Sequence, residues 1–322
     1  FVLIHDVEFN DRAAELGDAL PAMRRCAFGS PESAYEQGLA AATRLQRATA
    51  VTLSDISTIL YTSGTTGVPK GAIITHAMNL WNTVNSTGPF GVSRQSVFLG
   101  VLPLFHTGGL NVFANPVFHQ GGTVVIMRAF DPGEALRLIG DPSLGITHMF
   151  GVPAIFQFMG QHPDFTRTDL RSLVHVGVGG APTPLSILNA WYERGVILQQ
   201  GFGMTETSPL VLVLDKEDAV RKIGSAGKPV LHGEIKVVRD DGSDAAANEI
   251  GEIRVRGEHI TPGYWQKPEV TAAAFTDGWL HTGDAAKVDD EGFYYVVDRW
   301  KDMYISGGEN VYPAEVENVI YQ

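Results

Sequence analysis

The sequence predicts an α/β fold: a largely parallel sheet with helices, followed by a small, mostly antiparallel β region. Three observations carry this. Short apolar, β-branched runs alternate with helix-like segments between residues 56 and 206, the spacing of strand–helix–strand units. Four glycine- or hydroxyl-rich segments, 62–70, 106–109, 179–182 and 201–206, sit at predicted strand ends, where such sheets bind ligands. From about Lys222 the pattern changes to short strands, with Asp240-Asp241-Gly242 and Asp289-Asp290-Glu291-Gly292 as turn signals.

The elements follow in order. Residues 1–6 read as a strand. Residues 8–25 and 31–48 read as helices, being rich in Ala, Leu, Glu and Arg. Residues 56–61 read as a buried strand that gives way abruptly to the 62–70 loop. Thr75 caps a helix through Leu80, Trp81 and Val84. Residues 97–102 are a strand, then an apolar helix runs to about His119. A strand covers 123–127. Asp131-Pro132 starts a helix, with a capping side chain and Pro at the first helical position, and it ends near Gly140. Strand 146–150, helix 154–159, strand 173–178 and helix 184–194 follow, with Gly195 placed to stop the last helix. Strand 196–200 leads into Gly201-Phe202-Gly203-Met204-Thr205-Glu206. Residues 234–239, 251–256 and 293–298 are the short strands of the final region.

Composition narrows the function. At 322 residues the chain is long enough for two or three subdomains. A hydrophobic content of 44% with 19% charged residues is ordinary for a globular protein. The net charge of -12 argues against generic binding to nucleic acid or an anionic membrane, while allowing a local basic pocket. Cys26 is the only cysteine, so no intramolecular disulfide forms, which fits a cytoplasmic setting. No apolar run approaches the roughly 20 residues of a membrane span. The chain opens without Met or a signal peptide and stops in a helix-like pattern, so the expectation is a segment truncated at both ends.

The chemistry centres on Thr62-Ser63-Gly64-Thr65-Thr66-Gly67-Val68-Pro69-Lys70. Four hydroxyls, backbone N–H groups and one ammonium suit the oxygens of a polyphosphate. The order differs from the common P-loop, which needs Gly-Lys-Ser/Thr. Glu206 beside Thr205 can hold Mg²⁺ on a phosphate, or be a solvated carboxylate after a capping Thr. Asp284 can accept from ribose hydroxyls, or bond its own turn. Arg299 suits a ribose or phosphate, or a surface ion pair with Asp298 or Asp302. His106 suits a substrate carboxylate, or a core position. Phe202 offers a face to a purine, or simply fills core.

Taken together, Tyr61–Gly71, Gly179–Pro182, Gly201–Glu206, Gly257–Trp265, Thr282–Asp284, Asp298–Asp302 and Ser306–Glu317 stand in one order. This set resembles the adenylate-forming superfamily: acyl-CoA synthetases, adenylation domains of peptide synthetases and beetle luciferases. The resemblance implies the large N-terminal domain of that fold, with parallel α/β sheets and a distorted β-barrel subdomain. It implies an α/β region at 1–210, a barrel-like region at 211–300, and a hinge with the start of a small mobile domain at 301–322.

It also implies roles. Thr62, Ser63, Gly64, Thr65, Thr66, Gly67 and Lys70 match the ATP phosphate loop. Gly179, Gly180, Ala181 and Pro182, with Gly201, Phe202 and Gly203, match the adenine walls. The family usually has Tyr where Phe202 stands. Thr205 matches a residue near the α-phosphate, Glu206 and Thr65 the Mg²⁺ ligands, and Asp284 and Arg299 the ribose contacts. His106 matches a position beside the acyl carboxylate, and Lys301-Asp302 the hinge. The implied reaction joins a carboxylate to the α-phosphorus of ATP, then passes the acyl group to a thiol. The 306–313 segment favours coenzyme A over a carrier protein. Residues 81–85, 150–153 and 201–209 resemble hydroxycinnamate ligases, although fatty-acid enzymes share much of the pattern. A homodimer is compatible with this picture, as is a non-catalytic nucleotide-binding module. The lysine that drives adenylation in the family has no counterpart in these residues.

Overall fold

A computed structural model describes residues 2–44, 49–62 and 69–299, with the backbone of the antiparallel pair Tyr304–Ser306 and Glu309–Val311. Two compact units divide the chain, Phe1–Val51 and Thr52–Gln322.

In the first unit, strand Val2–Asp6 runs parallel to Arg24–Phe28, and helix Asn10–Ala19 forms the crossover. The helix expected over 8–25 therefore stops early, because Pro21 disfavours helical backbone at Leu20. Cys26 lies in the strand that follows. The second helix is also shorter than expected, covering Ala34–Ala41, and its cap is Ser33, whose hydroxyl accepts from Glu36 N at 3.4 Å. Residues 45–48 of that expected helix lie outside the described residues.

The second unit is built on a seven-stranded mixed sheet. Its order is Lys228–Pro229, Leu210–Val213, Leu198–Gly203, His175–Val178, His148–Gly151, Val97–Gly100 and Thr123–Ile126. The last five are parallel, as the alternating pattern requires. Helices begin where their caps predict. Thr75 Oγ1 accepts from Met78 N at 3.2 Å to start His76–Thr87, and Asp131 Oδ1 accepts from Glu134 N at 2.7 Å to start Pro132–Ile139. Between Thr107 and His119 the helix passes through a π-helical stretch, Leu110–Ala114. Leu99, Leu136, Ile146, Met149, Phe156 and Trp191 are central to the largest core cluster. Each such side chain contributes about 1.5–3 kcal/mol on burial.

Two strands that sequence reading left unassigned matter most. Leu210–Val213 runs antiparallel to Leu198–Gly203 and is buried on both faces. Leu210 and Val213 pack with Phe90, Phe98 and Phe113. Val211 joins Ile253, Val255 and Leu280, while Leu212 joins Val237 and Tyr294. This short strand is thus the seam between the mixed sheet and the smaller one. The second is Trp279–Val288, at 10 residues the longest strand among the described residues, which absorbs the Thr282-Gly283-Asp284 segment read as a turn.

The smaller sheet is antiparallel and curled, ordered Glu234–Val238, Gly251–Arg256, Trp279–Val288 and Phe275–Thr276, with Tyr294–Arg299 also pairing along Trp279–Val288. A third correction concerns Ile56–Thr62. It forms a hairpin with Lys70–Thr75 rather than a strand leading to a helix, and Ile56 and Tyr61 are exposed. Burial falls instead on Ala72 and Ile74 of the second strand. Asn82 ties the parts together, donating to Asn111 O at 2.7 Å and accepting from Leu210 N at 3.3 Å. Among the described residues, no helix is long and apolar enough to cross a membrane.

Candidate active site

An open cavity of about 730 Å³ lies where the two sheets of the second unit meet. One wall is the turn after strand His175–Val178, with Gly180, Ala181 and Pro182, and the end of Leu198–Gly203, with Gly201, Phe202 and Gly203. The other wall carries Asp284, Asp298 and Arg299 from adjacent strands of the smaller sheet. Gly179 stands behind the first wall, where a Cβ would come within 2.9 Å of the Gly201 carbonyl oxygen. The strand expected to end at Gln200 continues through Gly203, because Gly201 and Gly203 pair with Val213 and Leu210. A side chain at Gly203 would overlap the Pro209 carbonyl. These glycines serve strand approach first, and the cavity wall is its consequence.

Asp284 and Arg299 face each other as register partners, and Arg299 Nε stands 3.3 Å from Asp284 Oδ1. Burial pushes the Asp284 carboxyl up to about 6, against the pull of Arg299, and the neighbouring carboxylates of Glu206, Asp298 and Glu252 add to the rise. Beside it, Gly283 takes a φ of +73°, and its N–H donates to Glu252 Oε1 at 3.3 Å. The Thr282 hydroxyl donates to Ile253 O at 2.8 Å and accepts from Asp284 N at 3.1 Å. Asp284 is therefore a strand residue held by its neighbours rather than a turn acceptor.

Thr205 and Glu206 sit in a tight turn, Thr205–Thr207, between the two antiparallel strands, and both are buried. Glu206 Oε1 accepts from the Tyr264 hydroxyl at 2.7 Å, and its carbonyl accepts from Thr261 N at 2.7 Å. Burial, with the Glu206 charge, holds the Tyr264 hydroxyl far above its usual range, so it remains a donor. On the ring face of the same tyrosine lies Lys70 Nζ, 4.5 Å from the centroid, within cation–π range. Lys70 is the first residue of its strand, across from Thr62, whose hydroxyl donates to Lys70 O at 3.5 Å.

The AMP-binding enzyme family model matches residues 5–265. The chain belongs to that AMP-binding enzyme family. Among its relatives, it is 44% identical over 271 residues to a feruloyl-CoA synthase of Amycolatopsis sp., covering 84% of the chain and 55% of that protein. It is 42% identical over 276 residues to a 2-succinylbenzoate–CoA ligase of Geobacillus kaustophilus, covering 83% of the chain and 54% of that protein. The chain thus spans about half the length of the curated relatives it matches. The O-succinylbenzoate coenzyme A synthetase of Bacillus subtilis, solved with ATP and magnesium, superposes with a TM-score of 0.85 at 33% identity. That match covers 99% of this chain and 63% of the other.

Set against this AMP-binding fold, the sequence-derived residues divide. Ala181, Pro182, Gly180, Gly201, Phe202, Gly203, Asp284 and Arg299 share the cavity. Thr205 and Glu206 lie in the turn that extends from its Gly201–Gly203 wall. His106 lies outside the lining and is exposed; its Nδ1 accepts from Gly108 N at 3.1 Å and caps the helix that follows. Ser63, Gly64, Thr65, Thr66 and Gly67 lie outside the described residues, as do Lys301, Asp302, Gly307 and Gly308. Among the described residues, no group of three His, Cys, Asp or Glu side chains gathers as a metal cage. An ion at Glu206 would draw its other ligands from phosphate and water, the coordination Mg²⁺ prefers. Sequence reading missed Tyr264 as a site residue; the only signal was its place in the Gly257–Trp265 segment.

Proposed function

We propose that the protein activates an aryl carboxylic acid with ATP as an acyl-adenylate and transfers the acyl group to coenzyme A. The observation that carries this is the union, in one cavity, of the Gly180–Pro182 and Gly201–Gly203 walls with Asp284 and Arg299. In this reading adenine rests on Phe202, and the ribose hydroxyls meet Asp284 and Arg299. The Thr62–Lys70 loop takes the β- and γ-phosphates. Thr205 stands at the α-phosphate, and Glu206, with Thr65, holds Mg²⁺. Mg²⁺ would neutralise phosphate charge; the chain's own task is to orient the acid's carboxylate oxygen against the α-phosphorus, opposite the departing pyrophosphate, and to hold the charges in place. His106 would face the acyl carboxylate. The division at 210 and 300, a cytoplasmic setting and a homodimer belong to the same reading.

The aryl class rests on the relatives. Feruloyl-CoA synthase, 2-succinylbenzoate–CoA ligase and an indoleacetate–CoA ligase from Aromatoleum aromaticum, 41% identical, all carry aryl acids in their names. The test is exchange of labelled pyrophosphate into ATP by the full-length protein across aryl and fatty acids, with acyl-CoA products read by mass. Exchange dependent on aryl acids is the expected outcome. ATP binding with no exchange for any acid would instead favour the non-catalytic nucleotide-binding module.

A further inference from the structure

Tyr264 touches both charged ends of the phosphate-handling set. Its hydroxyl donates to Glu206 Oε1 at 2.7 Å, and its ring carries the Lys70 ammonium at 4.5 Å. The backbone around it is built to hold it there. Ile73 N donates to Gly263 O at 3.0 Å, Trp265 N to Gly71 O at 2.8 Å, and Tyr264 N to Thr271 Oγ1 at 2.9 Å. Gly263 has a φ of +144°, and a side chain there would overlap Thr271. Thr261 N, from the same segment, fixes the Glu206 carbonyl at 2.7 Å. The segment thus bolts the Lys70 strand to the Glu206 turn, with one 7%-exposed tyrosine at the junction.

We infer that Tyr264 is a two-sided positioning residue: its hydroxyl fixes the Glu206 carboxylate for a divalent ion, and its ring docks the Lys70 ammonium until polyphosphate draws the ammonium away. The inference rests on the nucleotide reading given above. Electrostatics supply the reason for such a device. An ammonium paired directly with Glu206 would compete with a metal ion for that carboxylate. On the ring face the ammonium keeps a favourable site without neutralising the metal ligand. A neutral hydroxyl donor orients a carboxylate while leaving its charge intact, as partners of metal ligands commonly do.

The test separates the two faces. Tyr264→Phe keeps the ring and removes the hydroxyl. Mn²⁺, followed by electron paramagnetic resonance in the presence of ATP, is expected to bind this variant about ten-fold more weakly. ATP without metal binds within about two-fold of wild type, since the ring and Lys70 remain. Unchanged Mn²⁺ affinity overturns the hydroxyl role. Lys70→Met tests the ring: tripolyphosphate gives a tyrosine ultraviolet difference signal in wild type and none in the variant. An equal signal in both overturns docking. If Tyr264→Phe melts too low to assay, fluorotyrosine at position 264 replaces it. Its fluorine resonance moves with tripolyphosphate and again with Mg²⁺, and a resonance indifferent to both defeats the inference. Acid-dependent pyrophosphate exchange by wild type is scored separately. Exchange alongside unchanged Mn²⁺ affinity sinks this inference alone; Mn²⁺ weakening without exchange sinks the aryl-acid reading alone.

Discussion

Asp284 is held as a carboxylate where burial disfavours its charge. Its carboxyl is raised from 3.8 to about 6. Well below pH 3.8 it is protonated in both folded and unfolded chains and contributes nothing. As pH rises towards 6 the unfolded chain loses this proton first, so the native state binds more protons and stability falls. Above 6 the penalty is constant, on the order of 3 kcal/mol at about 1.4 kcal/mol per pH unit. Asp284→Asn is therefore expected to raise the melting temperature at pH 7–8, with the gain vanishing well below pH 3.8. The same variant loses affinity for ATP by about ten-fold or more, the size of one charge-assisted hydrogen bond. Calorimetric melts across pH and nucleotide titration check both. A variant that melts lower at pH 8 would contradict the burial argument. The carboxylate whose burial costs stability is, in this reading, the group that grips the ribose.

At the scale of elements, the turn between Leu198–Gly203 and Leu210–Val213 decides the site. It places Glu206 by hydrogen bonds at both ends: Met204 N donates to Thr207 Oγ1 at 3.0 Å, and Thr261 N holds the Glu206 carbonyl. Gly203→Ala forces a methyl onto the Pro209 carbonyl, so the strand must shift. The expected loss is about 2–3 kcal/mol, the scale of overpacking a tight core. Chemical denaturation measures it, and a change under about 0.5 kcal/mol would show that the turn yields freely. How far this was legible in the sequence follows from the same elements. Thr75 and Asp131 announced their helices because a cap is a local event, readable from a few residues. Leu210–Val213 gave only a continuous apolar run, which carries no period to distinguish strand from buried helix. Thr282-Gly283-Asp284 read as a turn because its strand is decided by partners far away, Gly251–Arg256 and Tyr294–Arg299. The cavity residues could be named from their motifs, but Tyr264 acquires its role through partners distant in the chain, Glu206, 58 residues away, and Lys70.

For the whole molecule, the core clusters divide unevenly between the two units. Every residue of the five clusters lies within 52–322, whereas among the described residues of the first unit the buried side chains are Ala13 and Ser33. A chain of residues 52–322 is therefore expected to fold cooperatively on its own. Its melting temperature should stay within about 5 °C of the parent, a shift of one or two kcal/mol at this size. Circular dichroism and calorimetry provide the measurement; loss of the cooperative transition would mean that the first unit supplies stability its sparse burial does not suggest. The net charge is -12 for the chain and -10 for residues 52–322, since residues 1–51 hold seven acidic and five basic side chains; both forms stay well away from neutrality at pH 7, which favours solubility during such comparisons.

The strand Leu210–Val213 has a further consequence for how this chain tolerates change. Its four side chains feed three separate cores, Leu210 and Val213 one, Val211 a second and Leu212 a third, and it begins three residues after the carboxylate-bearing turn Thr205–Thr207 ends. Inserting one residue in that turn would either displace Glu206 or send each of the four side chains to the opposite face. Length variation is thus forbidden there twice over, once by packing and once by chemistry. A surface loop with neither constraint would tolerate an added residue at little cost, whereas here the turn and the sheet it joins must keep one length together.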